Sequence, residues 1–149
     1  MAKIETILCA LDFSEVSPKV AHYARLLSET LGARLVVLYV APSLNQYVEF
    51  HVQASYIDNF VQGIVAGATE TMDGFLKEHF PGQKVEGRVA TGYAAEEILN
   101  TADEVKADMI ILGTHGRKGI DKILFGSVGE KVIKSAKVPV LSMRPDQVK

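Results

Sequence analysis

Apolar and polar residues along the chain follow two patterns that alternate with one another. Short, continuous apolar runs such as TILCAL and RLVVLYV are typical of strands that a parallel sheet buries on both faces. Between these runs, apolar residues recur every three or four positions, as on one face of an amphipathic helix. The predicted strands are 6–11, 34–40, 84–91, 109–113 and 138–143, and the predicted helices are 18–31, 57–80, 94–105 and about 127–136.

This alternation predicts a single α/β domain over residues 1–149. Strands separated by helices are joined by crossover connections, which produce a parallel sheet with helices on both faces. We therefore expect a five-stranded, Rossmann-like parallel sheet. Pro139 has no N–H to donate to a neighbouring strand, so the last strand is expected either to lie at an edge of the sheet or to pair at that position only through its other groups.

Local signals predict some of the element ends. Ser17 and Pro18 are typical of the cap and the first residue of a helix, and Gly32 is typical of its end. The segment 41–56 is polar with scattered aromatic residues and has no clear period. We interpret it as either a lid or a surface for a partner.

Composition and charge narrow the function classes. The chain has 16 Lys and Arg against 18 Asp and Glu, a formal net charge of -2, so no overall attraction to nucleic acid or an anionic membrane is expected. Cys9 is the only cysteine, which excludes an internal disulfide, and no Cys/His spacing fits zinc. No stretch approaches the ~20 apolar residues of a membrane span, and the N-terminus lacks a signal-peptide pattern. We therefore expect a cytoplasmic protein.

Candidate chemistry is concentrated where the predicted strands end. Ligands of open α/β sheets bind outside the carboxyl ends of the strands, at the point where the strand order reverses. Asp12 follows the first strand, Val40 ends the second and Gly113 ends the fourth. These residues are expected to lie together if the first and fourth strands are neighbours.

A glycine-rich stretch after the fourth strand indicates an anion site. Gly113 and Gly116 let the backbone approach a ligand and present N–H groups, and Arg117 adds positive charge. Gly126 and Ser127 are predicted to open a helix, whose first N–H groups favour a phosphate. The stretch has no Walker-type G-x-x-x-x-G-K-[ST], and the turn LDFSEVS lacks the glycines of the dinucleotide fingerprint.

The spacing of G-T-H-G, nine residues and G-S resembles the ATP-binding signature G-x2-G-x9-G-[ST] of the universal stress protein family. The similarity extends through a first strand ending in LDFS, a second ending in YVAP, the block ADMIILGTHGR, the stretch GSVGEKVI and the closing VPVL. This resemblance implies a five-stranded parallel sheet that binds an adenine nucleotide at its switch point, and homodimers formed through the last strand. Members of the family with the glycine motif bind ATP and others that lack it do not, so the resemblance implies an ATP-binding member.

By position, the resemblance gives each candidate residue a role. It implies that Asp12 lies near the ribose or a phosphate-bound Mg²⁺ and that the backbone of Val40 lies against adenine. Gly113 would approach the ribose and Gly116 the phosphates. The N–H and hydroxyl groups of residues 126–128 would contact the triphosphate.

The complete set of candidate nucleotide-binding residues combines these positions with their neighbours. It consists of Ala10, Asp12, Val40, Gly113, Thr114, Gly116, Arg117, Gly126, Ser127 and Val128, with Asp12 also as the candidate Mg²⁺ contact. Gly129 departs from the family pattern, because many members have Thr or Ser there, and one hydroxyl near the phosphates is therefore lost.

Simpler interpretations stand beside several of these assignments. Asp12 caps the following turn in one of them, because a lone carboxylate repels phosphates unless a metal or a ribose hydroxyl intervenes. His115 in a loop favours a surface group over a general acid or base, and Arg117 and Lys118 are either phosphate contacts or ordinary loop charges. Cys9 inside an apolar strand favours an inert core thiol over a redox sensor. The glycine stretch itself would also serve as tight turns with no ligand.

The leading hypothesis is a stress-response regulator that holds ATP·Mg²⁺ and changes its dimer, or its surface for an unknown protein partner, with occupancy. No nucleophile–base pair is recognisable near the presumed phosphates, so we expect at most slow hydrolysis. The predicted contacts are mostly backbone and do not distinguish ATP from ADP or cyclic AMP. One alternative is a nucleotide-independent interaction module that docks a partner through the segment 41–56; another is a phosphotransferase.

Overall fold

The centre of the fold is a parallel sheet whose middle strand, β1 (Thr6–Leu11), is buried along its whole length. The computed structural model describes residues 3–41, 54–113 and 120–144. The other strands are β2 (Arg34–Ala41), β3 (Glu86–Thr91), β4 (Met109–Gly113) and β5 (Val140–Met143), and the helices are α1 (Ser17–Leu31), α2 (Ala54–His79), α3 (Ala94–Val105) and α4 (Ile120–Ser135).

The strand order is β3-β2-β1-β4-β5, and all neighbouring strands are parallel. The chain builds one half of the sheet from β1 through β3 and then crosses to the other side of β1 for β4 and β5. The predicted five-stranded parallel sheet with helices is therefore confirmed. β5 lies at an edge, the first of the two arrangements expected from Pro139, and the Pro139 carbonyl accepts a hydrogen bond from the backbone N–H of Ile110 at 3.0 Å.

Two hydrophobic clusters cover the faces of the sheet, because successive side chains of a strand point to opposite faces. Ile7, Cys9 and Leu11 of β1 pack in the cluster that includes residues of α1 and α2. Leu8 and Ala10 pack in the cluster that includes residues of α3 and α4. The continuous apolar run in β1 thus follows from burial on both faces.

The start of α1 differs from the prediction. Val16 is the cap residue and makes no side-chain capping bond, while Ser17 is the first helical residue and Pro18 lies in the first turn. The helix thus includes Ser17 instead of starting after it, and the Ser17 hydroxyl donates a hydrogen bond to Oδ1 of Asp12. Gly32 ends the helix with φ 64, as predicted, and donates its N–H to carbonyls of the last turn.

The start of α4 is a second correction. The helix was expected to begin at about residue 127, and instead it begins at Ile120 and runs through Gly126 and Ser127. Glycine signalled a helix start in the sequence, but a glycine inside a helix costs only about 1 kcal/mol and does not prevent the helix from extending.

Most other element bounds lie within a few residues of the predictions. β1, α3 and β4 match the predicted ranges. In the irregular segment 41–56, Ala41 ends β2 and residues 54–56 belong to α2, while the remainder lies outside the described residues. Within the described ranges, none of the helices has the length and apolar character to cross a membrane.

Candidate functional site

The carboxyl ends of β1 and β4 lie side by side where the strand order reverses. β1 pairs with β2 on one side and with β4 on the other, and Ala10 is in register with Leu112. Leu11 and Gly113 end these two strands, and Asp12 follows at once. The expected adjacency of the first and fourth strands is confirmed. Asp12 and Gly113 thus lie at the switch point, where open α/β sheets bind ligands.

The side chain of Asp12 closes the turn between β1 and α1. Its Oδ1 accepts hydrogen bonds from the backbone N–H of Ser14 at 2.9 Å and from the Ser17 hydroxyl at 3.3 Å. Its Oδ2 accepts none from the part of the chain that the structure describes. The half-buried carboxylate therefore caps the turn with one oxygen and keeps the other available to a ligand.

Ser14 and Ser17 are residues of this turn that the sequence analysis did not assign to the site. The missed signal is the pattern Asp-x-Ser, because aspartate side chains commonly accept the N–H two residues further on. The hydroxyl of Ser14 extends the same turn by accepting the backbone N–H of Val16 at 3.4 Å. The turn is thus held by side-chain acceptors from both of its ends.

Val40 contributes from the neighbouring strand on the other side of β1. It is half-buried and stands one residue before the end of β2. The next carbonyl, that of Ala41, accepts the N–H of Gly92 at 3.0 Å, which fixes the end of β3 against β2. Gly92 has φ 138, a conformation that favours glycine. The structure therefore brings Asp12, Val40 and Gly113 to the ends of three adjacent strands.

The remaining predicted residues divide into three groups. Ala10 lies inside β1, 3% exposed, with its backbone between β2 and β4. Thr114, Gly116 and Arg117 lie outside the described residues, as do His115 and Lys118. Gly126, Ser127 and Val128 lie inside α4, where the Ser127 side chain is exposed and that of Val128 is half-buried.

The early start of α4 changes the hydrogen-bonding capacity of its glycine region. In an α-helix, each N–H beyond the first turn donates to the carbonyl four residues earlier, so unpaired donors belong to the first four residues. The unpaired donors of α4 are therefore at 120–123, and not at 126–128 as a helix start there would require.

Two ionisable groups of the sheet, Cys9 and Glu86, have shifted pKa values. Burial raises the pKa of the Cys9 thiol to about 12, so the thiol is protonated and inert at neutral pH, as the apolar strand predicted. A hydrogen bond from Arg88, with further attraction from Arg34, lowers the pKa of the exposed Glu86 on β3. Across residues 3–41, 54–113 and 120–144, no three His, Cys, Asp or Glu side chains are grouped as metal ligands.

Comparison with known proteins agrees with the fold. Residues 3–144 match the Universal stress protein family. The chain belongs to the universal stress protein family. A relative in this family, universal stress protein MJ0531 of Methanocaldococcus jannaschii, is 31% identical over 140 residues, which cover 93% of this chain and 81% of that protein.

Solved structures of family members share the fold. The structure of MJ0577, a universal stress protein of Methanocaldococcus jannaschii, superposes with a TM-score of 0.82 at 27% identity and covers 99% of this chain and 100% of that one. A universal stress protein from Archaeoglobus fulgidus, solved in complex with dAMP, has a TM-score of 0.62 at 21% identity and covers 95% of this chain and 98% of that one. At that identity, the second similarity supports the fold alone.

Proposed function

We propose that this chain binds ATP·Mg²⁺ at the carboxyl edge of its sheet and acts as a nucleotide-dependent regulator in the stress response. One observation carries the proposal. Asp12 directly follows β1 and Gly113 is the last residue of β4, and these two strands are neighbours at the topological switch point. A family member from Archaeoglobus fulgidus was solved in complex with dAMP, and shared family membership, beyond the likeness in fold, leads us to propose an adenine nucleotide as the ligand class. The glycine spacing G-x2-G-x9-G-[ST] supports a phosphate chain.

The roles proposed for individual residues follow the geometry of the strand ends. Asp12 uses Oδ2 towards the ribose or a metal-bound water, since Oδ1 is engaged in the turn. Val40 offers its backbone to adenine from the end of β2, and Gly113 lets the ribose approach β4. Gly116 and residues 126–128 would bind the phosphates. Thr114 and Arg117 complete the proposed set from the glycine stretch, and Ala10 belongs to it from within β1.

Phosphate binding by residues 126–128 requires a change in α4. Their N–H groups lie beyond the first turn of the helix and are engaged within it. Two glycines in this region, Gly126 and Gly129, each weaken the helix by about 1 kcal/mol relative to alanine. We propose that residues 120–125 leave the helix when the triphosphate binds, so that α4 then begins near Gly126.

The residues present fit a magnesium ion that is held mainly by the nucleotide. Mg²⁺ is commonly bound through one or two carboxylates together with substrate phosphates and waters. The free Oδ2 of Asp12 supplies one such carboxylate oxygen, and the described residues contain no grouped set of further ligands. The ion would neutralise phosphate charge beside Asp12, and without it this carboxylate would repel the phosphates.

We propose at most slow hydrolysis of the bound nucleotide. A water attacking the γ-phosphate would need a positioned base, and in this proposal the free Oδ2 of Asp12 faces the ribose or a metal-bound water instead. The proposed regulator therefore responds to whether a nucleotide is bound, and hydrolysis of ATP is not its main role. We also propose that the chain is a single cytoplasmic domain that forms a homodimer through β5, whose half-buried Leu141 and Met143 line an edge of the sheet.

An isothermal titration of ATP·Mg²⁺ into nucleotide-stripped protein tests the proposal. We expect saturable binding at one site per chain, lost in Gly126→Val because the β-branched side chain blocks the approach of a phosphate to the backbone. Gly67→Val is the matched control, since a Cβ at Gly67 on α2 meets nothing within 4 Å. Absence of binding in the wild-type protein would contradict the proposal and favour a nucleotide-independent interaction module.

A further inference from the structure

Phe13 has a backbone conformation that an aromatic residue rarely adopts. Its φ is 59, in the left-handed region, and Lys106 with φ 56 is the other such non-glycine residue in the part of the chain that the structure describes. Lys106 caps the carboxyl end of α3, where a left-handed residue is common. Phe13 ends no helix, so its conformation needs another explanation.

The ring of Phe13 is held by aromatic side chains of two other elements. Its centroid lies 4.8 Å from that of Tyr39 on β2 and 5.7 Å from that of Phe75 on α2. Phe75 in turn stacks on His79 with a centroid distance of 4.2 Å. The half-buried ring therefore belongs to the cluster on the α1–α2 face of the sheet, and this packing offsets the cost of the left-handed backbone.

The left-handed turn at Phe13 acts directly on the carboxylate at the switch point. Reversal of the chain at this residue returns the N–H of Ser14 to Oδ1 of Asp12, at 2.9 Å. The same turn sets the Ser17 hydroxyl 3.3 Å from that oxygen. With Oδ1 fixed from two directions, the direction of Oδ2 is fixed as well.

We infer that Phe13 is a positioning residue for the nucleotide, which holds the Asp12 carboxylate in place by anchoring a left-handed turn on Tyr39 and Phe75. The inference rests on the proposed function, and it adds a residue whose side chain packs against the cluster on the α1–α2 face of the sheet. Phe13 acts through Asp12 and makes no contact of its own with the nucleotide.

Two substitutions of Phe13 distinguish the contribution of the left-handed turn to nucleotide binding from the contribution of the aromatic ring. Phe13→Ala removes the anchor but keeps the cost of a left-handed backbone, so we expect the Kd for ATP·Mg²⁺ to rise about tenfold. Phe13→Gly removes the same ring but adopts the turn without that cost, so we expect a smaller rise, about twofold to threefold. Lys106→Ala and Lys106→Gly are matched controls that alter the unfolding midpoint and leave Kd unchanged.

A second arm of the experiment tests the route through Asp12. In an Asp12→Asn background, which keeps the oxygen of the turn but removes the charge, Phe13→Ala should leave Kd nearly unchanged, because coupled residues are not additive. If Phe13→Ala does not fold, Phe75→Leu replaces it in the test, because it removes the aromatic contact that α2 makes with Phe13. All titrations are run below the unfolding transition of each variant.

Each outcome bears on one proposal or both. Equal Kd values for Phe13→Ala and the wild-type protein, with only the midpoint lowered, would overturn the positioning role and leave nucleotide binding standing. Equal losses in Phe13→Ala and Phe13→Gly would show that the turn is not what matters, and would overturn it too. A wild-type protein that binds no ATP·Mg²⁺ would overturn the proposed function, and this inference with it.

Discussion

Oδ1 of Asp12 lies 2.9 Å from the backbone nitrogen of Ser14 and accepts its hydrogen bond. The same side chain stands at the end of β1, beside the end of β4. One carboxylate therefore stabilises a turn and, in the proposed function, also faces a ligand. These two roles use different oxygens, so substitutions can separate them.

Asp12→Asn keeps an acceptor for the turn and removes the negative charge. We expect its unfolding free energy to stay within about 0.5 kcal/mol of the wild-type value, while the gain in ATP affinity that Mg²⁺ provides falls by about tenfold or more. Asp12→Ala removes both, so it should also lower the unfolding free energy by about 1–2 kcal/mol. Urea denaturation and titrations with and without Mg²⁺ measure the two effects.

Unchanged nucleotide binding by Asp12→Asn would contradict the proposed contact between Asp12 and the ligand. If Asp12→Asn binds ATP·Mg²⁺ as the wild-type protein does, the carboxylate only caps the turn. The simpler interpretation of this residue would then be correct, and Mg²⁺ would have no protein ligand among the described residues.

The sequence predicted most of the sheet because burial leaves a direct mark on residue type. The runs at β1 and β4 are apolar since both faces of each strand are covered, and their ends place Asp12 and Gly113 correctly. The conformation of Phe13 could not be predicted from residue types in the same way. Its left-handed backbone depends on packing against Tyr39 and Phe75, which are distant in sequence, and residue preferences alone would exclude it.

The start of α4 escaped prediction for a different reason. Glycine is read as a helix boundary because of its low propensity, but the penalty of about 1 kcal/mol is small beside the packing that a helix gains. Val132 of α4 is fully buried in the cluster on the α3–α4 face of the sheet, which shows where this packing occurs. The cap predicted at Ser17 was wrong because α1 already includes Ser17, whose hydroxyl donates a hydrogen bond to Asp12.

Nucleotide binding should change hydrogen exchange in α4. If the N–H groups of residues 126–128 bind phosphate, residues 120–125 must leave the helix, so their amides should exchange faster when ATP·Mg²⁺ is added. Residues 130–135 should keep their protection. Gly126→Ala should favour the helical form by about 1 kcal/mol and weaken ATP binding by about fivefold.

Hydrogen exchange measured by mass spectrometry distinguishes the unwinding of residues 120–125 from a site in which α4 keeps its conformation. Unchanged or slower exchange over 120–125 at saturating ATP·Mg²⁺ would show that phosphate binding does not use the donors at 126–128. Gly67→Ala is the control for the substitution, because it adds a methyl group to a helix glycine in open surroundings on α2.

Replacement of two glycines by alanine should change the unfolding free energy in opposite directions. At Gly67 in α2 a Cβ meets nothing within 4 Å, so Gly67→Ala should raise the unfolding free energy by about 0.5–1 kcal/mol. At Gly87 in β3 a Cβ would lie 2.8 Å from Cγ of Met72 and 2.9 Å from Cδ1 of Leu76, both on α2. Gly87→Ala should lower the unfolding free energy by about 1–3 kcal/mol.

Urea denaturation of both glycine variants at one pH provides the comparison. A stabilised Gly87→Ala would mean that Met72 and Leu76 yield without cost and that α2 packs loosely on β3. Neither variant should alter ATP binding, since Gly67 and Gly87 lie away from the ends of β1 and β4.

The buried thiol of Cys9 should make stability fall at alkaline pH. Burial raises its pKa from 9.0 to about 12, so above pH 9 the unfolded chain loses this proton while the folded chain keeps it. The unfolded state binds fewer protons there, and the contribution of Cys9 to the unfolding free energy declines by about 1.4 kcal/mol per pH unit up to pH 12. Urea denaturation of the wild-type protein and Cys9→Ala at pH 8 and pH 10 isolates this group from the lysines and tyrosines that also titrate. The difference between the two proteins should shift in favour of Cys9→Ala at the higher pH, and a constant difference would show that solvent reaches the thiol in the folded state.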